Sequence, residues 1–254
     1  DIADLYGVDA LRYYLLSAMT LGQDANYDEE SFILKFNAEL ANDLGNLTSR
    51  TIKMLEKNFN GEMPAATPPT EDEKDLIAAC SKALSAMESA ISHMQLDRGI
   101  AEINAAVREG NRYFDKMKPW VLAKENDKTT LARVLRNTAE CLRIASGLLY
   151  PVMPGKMAEL RRILGLPEDR IEPQMATLGE WNKLVDNAKI IPIASPLFPR
   201  IDLDKIMAER KEEAKMAFEN ADTTVAIQET PGNTPKQIAE NVISPSAVNA
   251  LPAA

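Results

Sequence analysis

Three polar side chains, Asn42, Asn46 and Arg50, recur every fourth residue in the amphipathic stretch 28–59. On a helix that spacing puts side chains on one face, about 6 Å apart along the axis. Two amides and a guanidinium in register suit hydrogen bonding along a planar edge such as that of a nucleobase; a solvated helix face is the competing reading. A flat aromatic partner lies further along, Trp120 in Lys118-Pro119-Trp120. Proline supplies no backbone N–H and biases the residue before it away from helix, so Trp120 is expected at a helix end or tight turn. An indole exposed there offers a stacking face, and one turned inward closes the core.

Bond-making chemistry has few candidates. The single histidine, His93, has no nucleophile or metal partner near it in sequence and is expected at the surface or core edge. The eleven glycines are scattered, with no phosphate-cradling loop, and HExxH, CxxC and GxSxG are all absent. Glu71, Asp72 and Glu73 sit where a helix begins, and the helix dipole accounts for them. Cys80 and Cys141 each lie in an apolar helical pattern and are expected to be buried thiols, as in a reducing compartment.

The elements that must position the polar row are helical. Asp9 is expected to cap a helix over ALRYYLLSAM, and Asp28 to cap the long one, whose core face carries Phe32, Phe36, Leu40, Leu44 and Leu47. Thr70 with Glu73 forms a capping box for a helix presenting Leu76, Ile77, Cys80, Leu84, Met87 and Ile91. A break near residues 95–97, a helix over 96–116, a helix capped by Asp127 and ended by Pro151 and Pro154, and a shorter helix over 155–164 follow. The expected fold is all-α: a bundle of five or six helices over residues 1–165, then an extended arm and charged helix over 166–218, then a low-complexity tail or linker over 219–254. Continuous Val/Ile strands and βαβ alternation are missing, which argues against a nucleotide-binding parallel sheet.

A net charge of −9 opposes broad, non-specific nucleic-acid binding and disfavours DNA as a partner, leaving a local basic patch with specific base contacts as the route to RNA. Arg112, Lys116 and Lys118 are candidates for phosphate contact beside Trp120. No apolar run approaches the roughly 18 residues that span a membrane. The first residue is Asp1, and the chain is expected to be a piece of a longer protein.

Four strings carry a resemblance to a family: GVDALRYYLL (7–16), GQDANYDEESF (22–32), FNAELANDLGNLTSR (36–50) and KMKPWVLAK (116–124). They resemble methionyl-tRNA synthetase in the part that follows its catalytic domain. The first string is shared with sister class I synthetases; LANDLGNLTSR together with KPW is more specific. The resemblance covers about residues 1–200, including PLFPRID, and not the tail. It implies that Asn46 and Arg50 meet bases of a CAU anticodon, that a base stacks on Trp120, and that Asn42 supports them. It implies methionine tRNA as partner, through its anticodon stem-loop, and a catalytic domain elsewhere that would bind ATP and in some members zinc. No cofactor is expected here, and DKMKP (115–119) is not a KMSKS loop. On this reading the chain is not catalytic by itself and works in the cytoplasm, where Asp24 and Tyr27 are candidates for contact with the catalytic domain. Two alternatives stay open: the corresponding domain of a sister synthetase, and a helical scaffold that binds no RNA.

Overall fold

Two helices, α1 (Ile2–Tyr6) and α2 (Val8–Ala18), precede a long rod of three helical pieces: α3 (Glu29–Lys35), a π-helical stretch (Phe36–Gly45) and α4 (Asn46–Phe59). This is the order in the computed structural model, which describes residues 2–24 and 27–227. The rod is thus not the uniform α-helix that its periodicity suggests. In the π-helical part the turns are wider, and the Asn46 N–H reaches the Ala41 carbonyl five residues back. Gly45 fits this turn because a Cβ there would stand 2.9 Å from the Leu40 carbonyl oxygen. The π stretch still buries Phe36, Leu40 and Leu44 on one side, each contributing roughly 1.5–3 kcal/mol by leaving water.

The other long helices are α5 (Lys74–Ser92), α6 (Leu96–Met117) and α8 (Lys128–Leu148), with the short α7 (Pro119–Glu125) between the last two. They join the rod and α2 in an all-α bundle. α5 and α6 form an antiparallel pair across the break at Met94, whose φ is 56°. They come close at Gly99, where a Cβ would lie 2.9 Å from that of Ala90. The buried stripe of α5 is Leu76, Cys80, Ala83, Met87 and Ala90; Ile91, expected in the core, is exposed instead.

Helix α8 sits at the centre, with every residue from Val134 to Leu149 buried. Its apolar side faces the bundle. Its polar side, with Arg136, Asn137, Glu140 and Arg143, is covered by the chain that follows α9 (Pro154–Ile163). That chain includes the single-turn helix α10 (Met175–Leu178) and is tied down by side chains that reach its backbone. Arg136 donates to the Leu184 carbonyl (2.6 Å), Glu140 accepts from the Leu184 N–H (2.6 Å), and Arg161 donates to the carbonyls of Ile171 (2.7 Å) and Arg170 (2.8 Å). The compact unit therefore continues beyond residue 165, through Leu203. Among the described residues the β-structure is one isolated antiparallel bridge, Glu62 with Lys189.

A second unit begins at Asp204. Its helix, α11 (Leu203–Ile227), runs past the expected end at residue 218. From residue 228 on, the expected tail lies outside the described residues.

The caps follow the sequence with one exception. The Asp28 carboxylate accepts from the Ser31 N–H (2.8 Å) and that of Asp127 from the Thr130 N–H (3.1 Å); the Ser31 side chain and then its N–H hold the Asp28 carboxyl below the usual range, and the Thr130 N–H does the same for Asp127. Thr70 and Glu73 form the reciprocal capping box. Asp9 does not cap its own helix. Gly7, at φ 88°, takes that position, and the Asp9 carboxylate instead accepts from the Lys156 N–H (2.6 Å) in the first turn of α9. Sequence spacing cannot show a cap supplied from 147 residues away. Asp9→Ala is expected to lower stability by about 1 kcal/mol, the usual cost of losing a cap, and Asp9→Asn by less. The midpoint of urea unfolding checks this, and an unchanged midpoint for the alanine variant would remove the cap's role.

Candidate functional site

The core face of α4 is Leu47, Thr48, Thr51, Ile52 and Leu55. Asn46, Ser49, Arg50 and Lys53 are left on the outer side, with Asn46 and Lys53 exposed. Asn42, on the last part of the π stretch, is exposed as well. Asn42, Asn46, Ser49 and Lys53 line one side of a groove of about 510 Å³, and Phe198 and Arg200 line the other. No hydrogen bond engages the amides of Asn42 or Asn46 among the described residues, so each presents a donor and an acceptor outward.

Arg50 leads from this groove to the tryptophan. Its guanidinium carbon lies 4.5 Å from the centroid of the Phe114 ring and 5.7 Å from that of Trp120. An ion pair with Asp115 fixes its direction. The two rings are 6.4 Å apart and tilted by 39°. The chain brings them together by a reversal after α6: Lys118 is left-handed, at φ 47°, and Pro119 occupies the first position of α7, where its missing N–H costs nothing. Pro119 is buried, and Trp120, 47% exposed, turns its ring to solvent beside the guanidinium.

Residues 70 positions apart, Arg50 and Trp120, thus form one surface, with Asn46 one turn from Arg50 on α4. Sequence reasoning missed Phe114, the buried ring under Arg50, and Asp115, its ionic partner. Both stand within the same YFDKMKPW run as Trp120, but which helix they face depends on tertiary packing. It also missed Arg200, which the arm delivers to the groove. The expected phosphate contacts fare differently: Lys116 pairs with Asp72 (3.1 Å) and Arg112 with Glu109 (2.9 Å).

The arrangement offers stacking faces and hydrogen-bonding edges. His93 is exposed, with Nδ1 2.8 Å from the Ser89 carbonyl oxygen. Cys80 and Cys141 are buried free thiols; the Cys80 contact and burial push the Cys141 thiol up, away from its reactive form. Among the described residues no three His, Cys, Asp or Glu side chains cluster as metal ligands, and no helix is long and apolar enough to cross a membrane. Tyr13 and Tyr14 are core residues, the Tyr13 hydroxyl donating to Glu39 (2.8 Å) and accepting from Asn104 (2.6 Å).

Residues 63–222 match the family model described as the anticodon binding domain of methionyl tRNA ligase, and residues 1–52 match that of the class I tRNA synthetases (M). The chain belongs to the methionyl-tRNA ligase family. It is 37% identical over 218 residues to the methionine–tRNA ligase of Caldanaerobacter subterraneus subsp. tengcongensis, covering 85% of this chain and 34% of that protein. The corresponding ligase of Listeria innocua is 35% identical, with 84% and 32% covered. Among solved structures, the free form of Mycobacterium tuberculosis methionyl-tRNA synthetase superimposes with a TM-score of 0.73 at 30% identity, covering 79% of this chain and 40% of that one. The same enzyme bound by methionyl-adenylate gives 0.72. The chain thus spans about a third of the length of the curated methionyl-tRNA ligases it matches. Within the family match, Asn42, Asn46 and Arg50 fall in the class I segment and Trp120 in the anticodon-binding segment.

Proposed function

We propose that this chain is the tRNA-selecting part of a methionine–tRNA ligase and that its surface reads the CAU anticodon. The observation that carries the reading is the Arg50 guanidinium beside the exposed Trp120 ring, next to the unbonded amides of Asn46 and Asn42. An unpaired anticodon base exposes a hydrogen-bonding edge and a π-face. Amide and guanidinium groups bind the edge, and an indole binds the face. In this division of labour Asn46 and Arg50 make the edge contacts, Trp120 stacks, and Asn42 supports. Activation of methionine with ATP, transfer to tRNA and any zinc belong to the parts of the relatives that this chain does not cover, and the catalytic domain is its partner. Two buried free thiols fit a cytoplasmic setting.

The test is binding of a CAU anticodon stem-loop against loops with the first anticodon base changed and against anticodons of sister class I synthetases. Preference for CAU by roughly tenfold or more is expected, since a good bidentate edge contact discriminates by about 1–3 kcal/mol. Equal affinity for every loop would reject the reading, and preference for a sister anticodon would reassign it. A scaffold with no RNA role predicts no salt-dependent binding at all.

A further inference from the structure

The groove beside the two asparagines is completed by a segment far from them in sequence. Residues 196–201 of the arm cross the π stretch and are locked there. The buried Asn37 amide grips the Ile201 backbone from both sides, donating to its carbonyl (2.8 Å) and accepting from its N–H (2.9 Å). The Phe198 ring sits edge-on to Phe36, centroids 6.0 Å apart, and Gly45 leaves room for it. The lock fixes the backbone next to Arg200 while the Arg200 side chain stays exposed at the groove. Lys53 stands on the opposite wall, two turns along α4 from Asn46.

Among the described residues no hydrogen bond or ion pair engages Lys53 or Arg200. Other cations nearby differ in one of two ways: Arg50 pairs with Asp115, Arg108 with Asp43 (3.7 Å), Lys116 with Asp72 and Arg112 with Glu109, whereas Lys57 and Lys118 have no ion pair among the described residues but do not line this groove. On a chain of net charge −9, two cations without an ion pair line one groove whose remaining polar groups are uncharged. A groove of that kind suits an anionic strand with bases on one side and phosphates on the other.

We infer that Lys53 and Arg200 form a sugar–phosphate subsite that holds single-stranded RNA in the Asn42/Asn46 groove, with Arg200 put in place by the Asn37 lock on the arm. This rests on the anticodon reading above and adds to it a contact that carries no base information. Base groups set the preference between loops; Lys53 and Arg200 set affinity and its dependence on salt. Lys116 and Arg112, already paired, contribute less.

The experiment is a binding titration of the chain with a CAU stem-loop and a loop altered at the first anticodon base, between 50 and 200 mM salt. Wild type is compared with Lys53→Ala, Arg200→Ala, the double variant and Arg200→Lys. Each phosphate contact on a single strand contributes a slope of about −0.7, or roughly 2.6-fold in affinity over that fourfold salt range. Each alanine variant is expected to lose one such increment and the double variant about sevenfold. The ratio between the two loops should stay at the wild-type value, and Arg200→Lys should restore most of the slope. Both side chains are exposed and unbonded, so an unchanged melting temperature is expected and confirms folding. Wild type that discriminates the loops while all variants keep its salt slope would overturn the subsite alone. Wild type that fails to discriminate them would overturn the anticodon reading and the subsite with it.

Discussion

Arg136→Met is expected to destabilise the fold by about 3–5 kcal/mol, the usual cost of removing one partner from a buried ionic network. Arg136 is 1% exposed at the middle of α8. One terminal nitrogen donates to the Pro64 carbonyl (2.7 Å) and to Asp186 Oδ1 (2.8 Å), the other to the Leu184 carbonyl (2.6 Å), and Glu140 stands 3.9 Å away. The planar fork thus ties the loop before α5 and the arm after α9 to the central helix at once. Methionine replaces the aliphatic stem but is shorter, and it leaves the guanidinium's own space in the interior unfilled. It leaves the Pro64 and Leu184 carbonyls without these donors and takes a counter-charge from the fully buried Glu140, which keeps Arg143 (2.6 Å). Arg136→Lys keeps the charge without the fork and should fall between. Chemical unfolding at constant m-value measures the loss, and amide exchange should show it first around residues 184–190. A methionine variant within 1 kcal/mol of wild type would mean that packing alone holds the arm.

That network also explains why the arm was opaque in the sequence. Helices show themselves by periodic apolar residues, and the bundle was legible for that reason: capping box, breaks and apolar stripes stand close together along the chain. The arm has no period. What places it is a set of long-range bonds from Arg136, Glu140, Arg143 and Arg161 to main-chain groups, and on a sequence those residues look like the solvated side of an amphipathic helix. The same reasoning covers Asp9, which looks like a local cap and serves α9. It covers the π stretch too, because widening by a fraction of a turn leaves the pattern of Phe36, Leu40 and Leu44 nearly unchanged. In the candidate site, residue type, spacing and one proline pick out Asn42, Asn46 and Arg50 as a polar row and Trp120 as a ring at a helix end, and the resemblance to the family adds the anticodon roles proposed for them. Phe114, Asp115 and Arg200 were not, since each gains its place from contact with a distant segment.

Trp120→Ala is expected to weaken binding of a CAU stem-loop by about 1–3 kcal/mol, roughly 5- to 150-fold, the range seen when an aromatic stacking platform is removed. With the ring 47% exposed, stability should change by less than about 1 kcal/mol, which separates loss of binding from loss of fold. Arg50→Ala removes an edge donor and also the cation held against the Trp120 and Phe114 rings. The two substitutions therefore act on one unit, and a double-mutant cycle should show a coupling of roughly 0.5–3 kcal/mol instead of additivity. Asp115→Asn tests the remaining member: it frees the guanidinium from its ion pair while leaving the rings in place. If the pair serves to hold Arg50 for edge contact, this variant should bind both loops and discriminate less between the CAU loop and one altered at the first base. Stem-loop titrations at fixed salt give all three results. Full wild-type affinity in Trp120→Ala would show that no base stacks on this ring, and the reading of the surface would have to rest on the α4 edge alone.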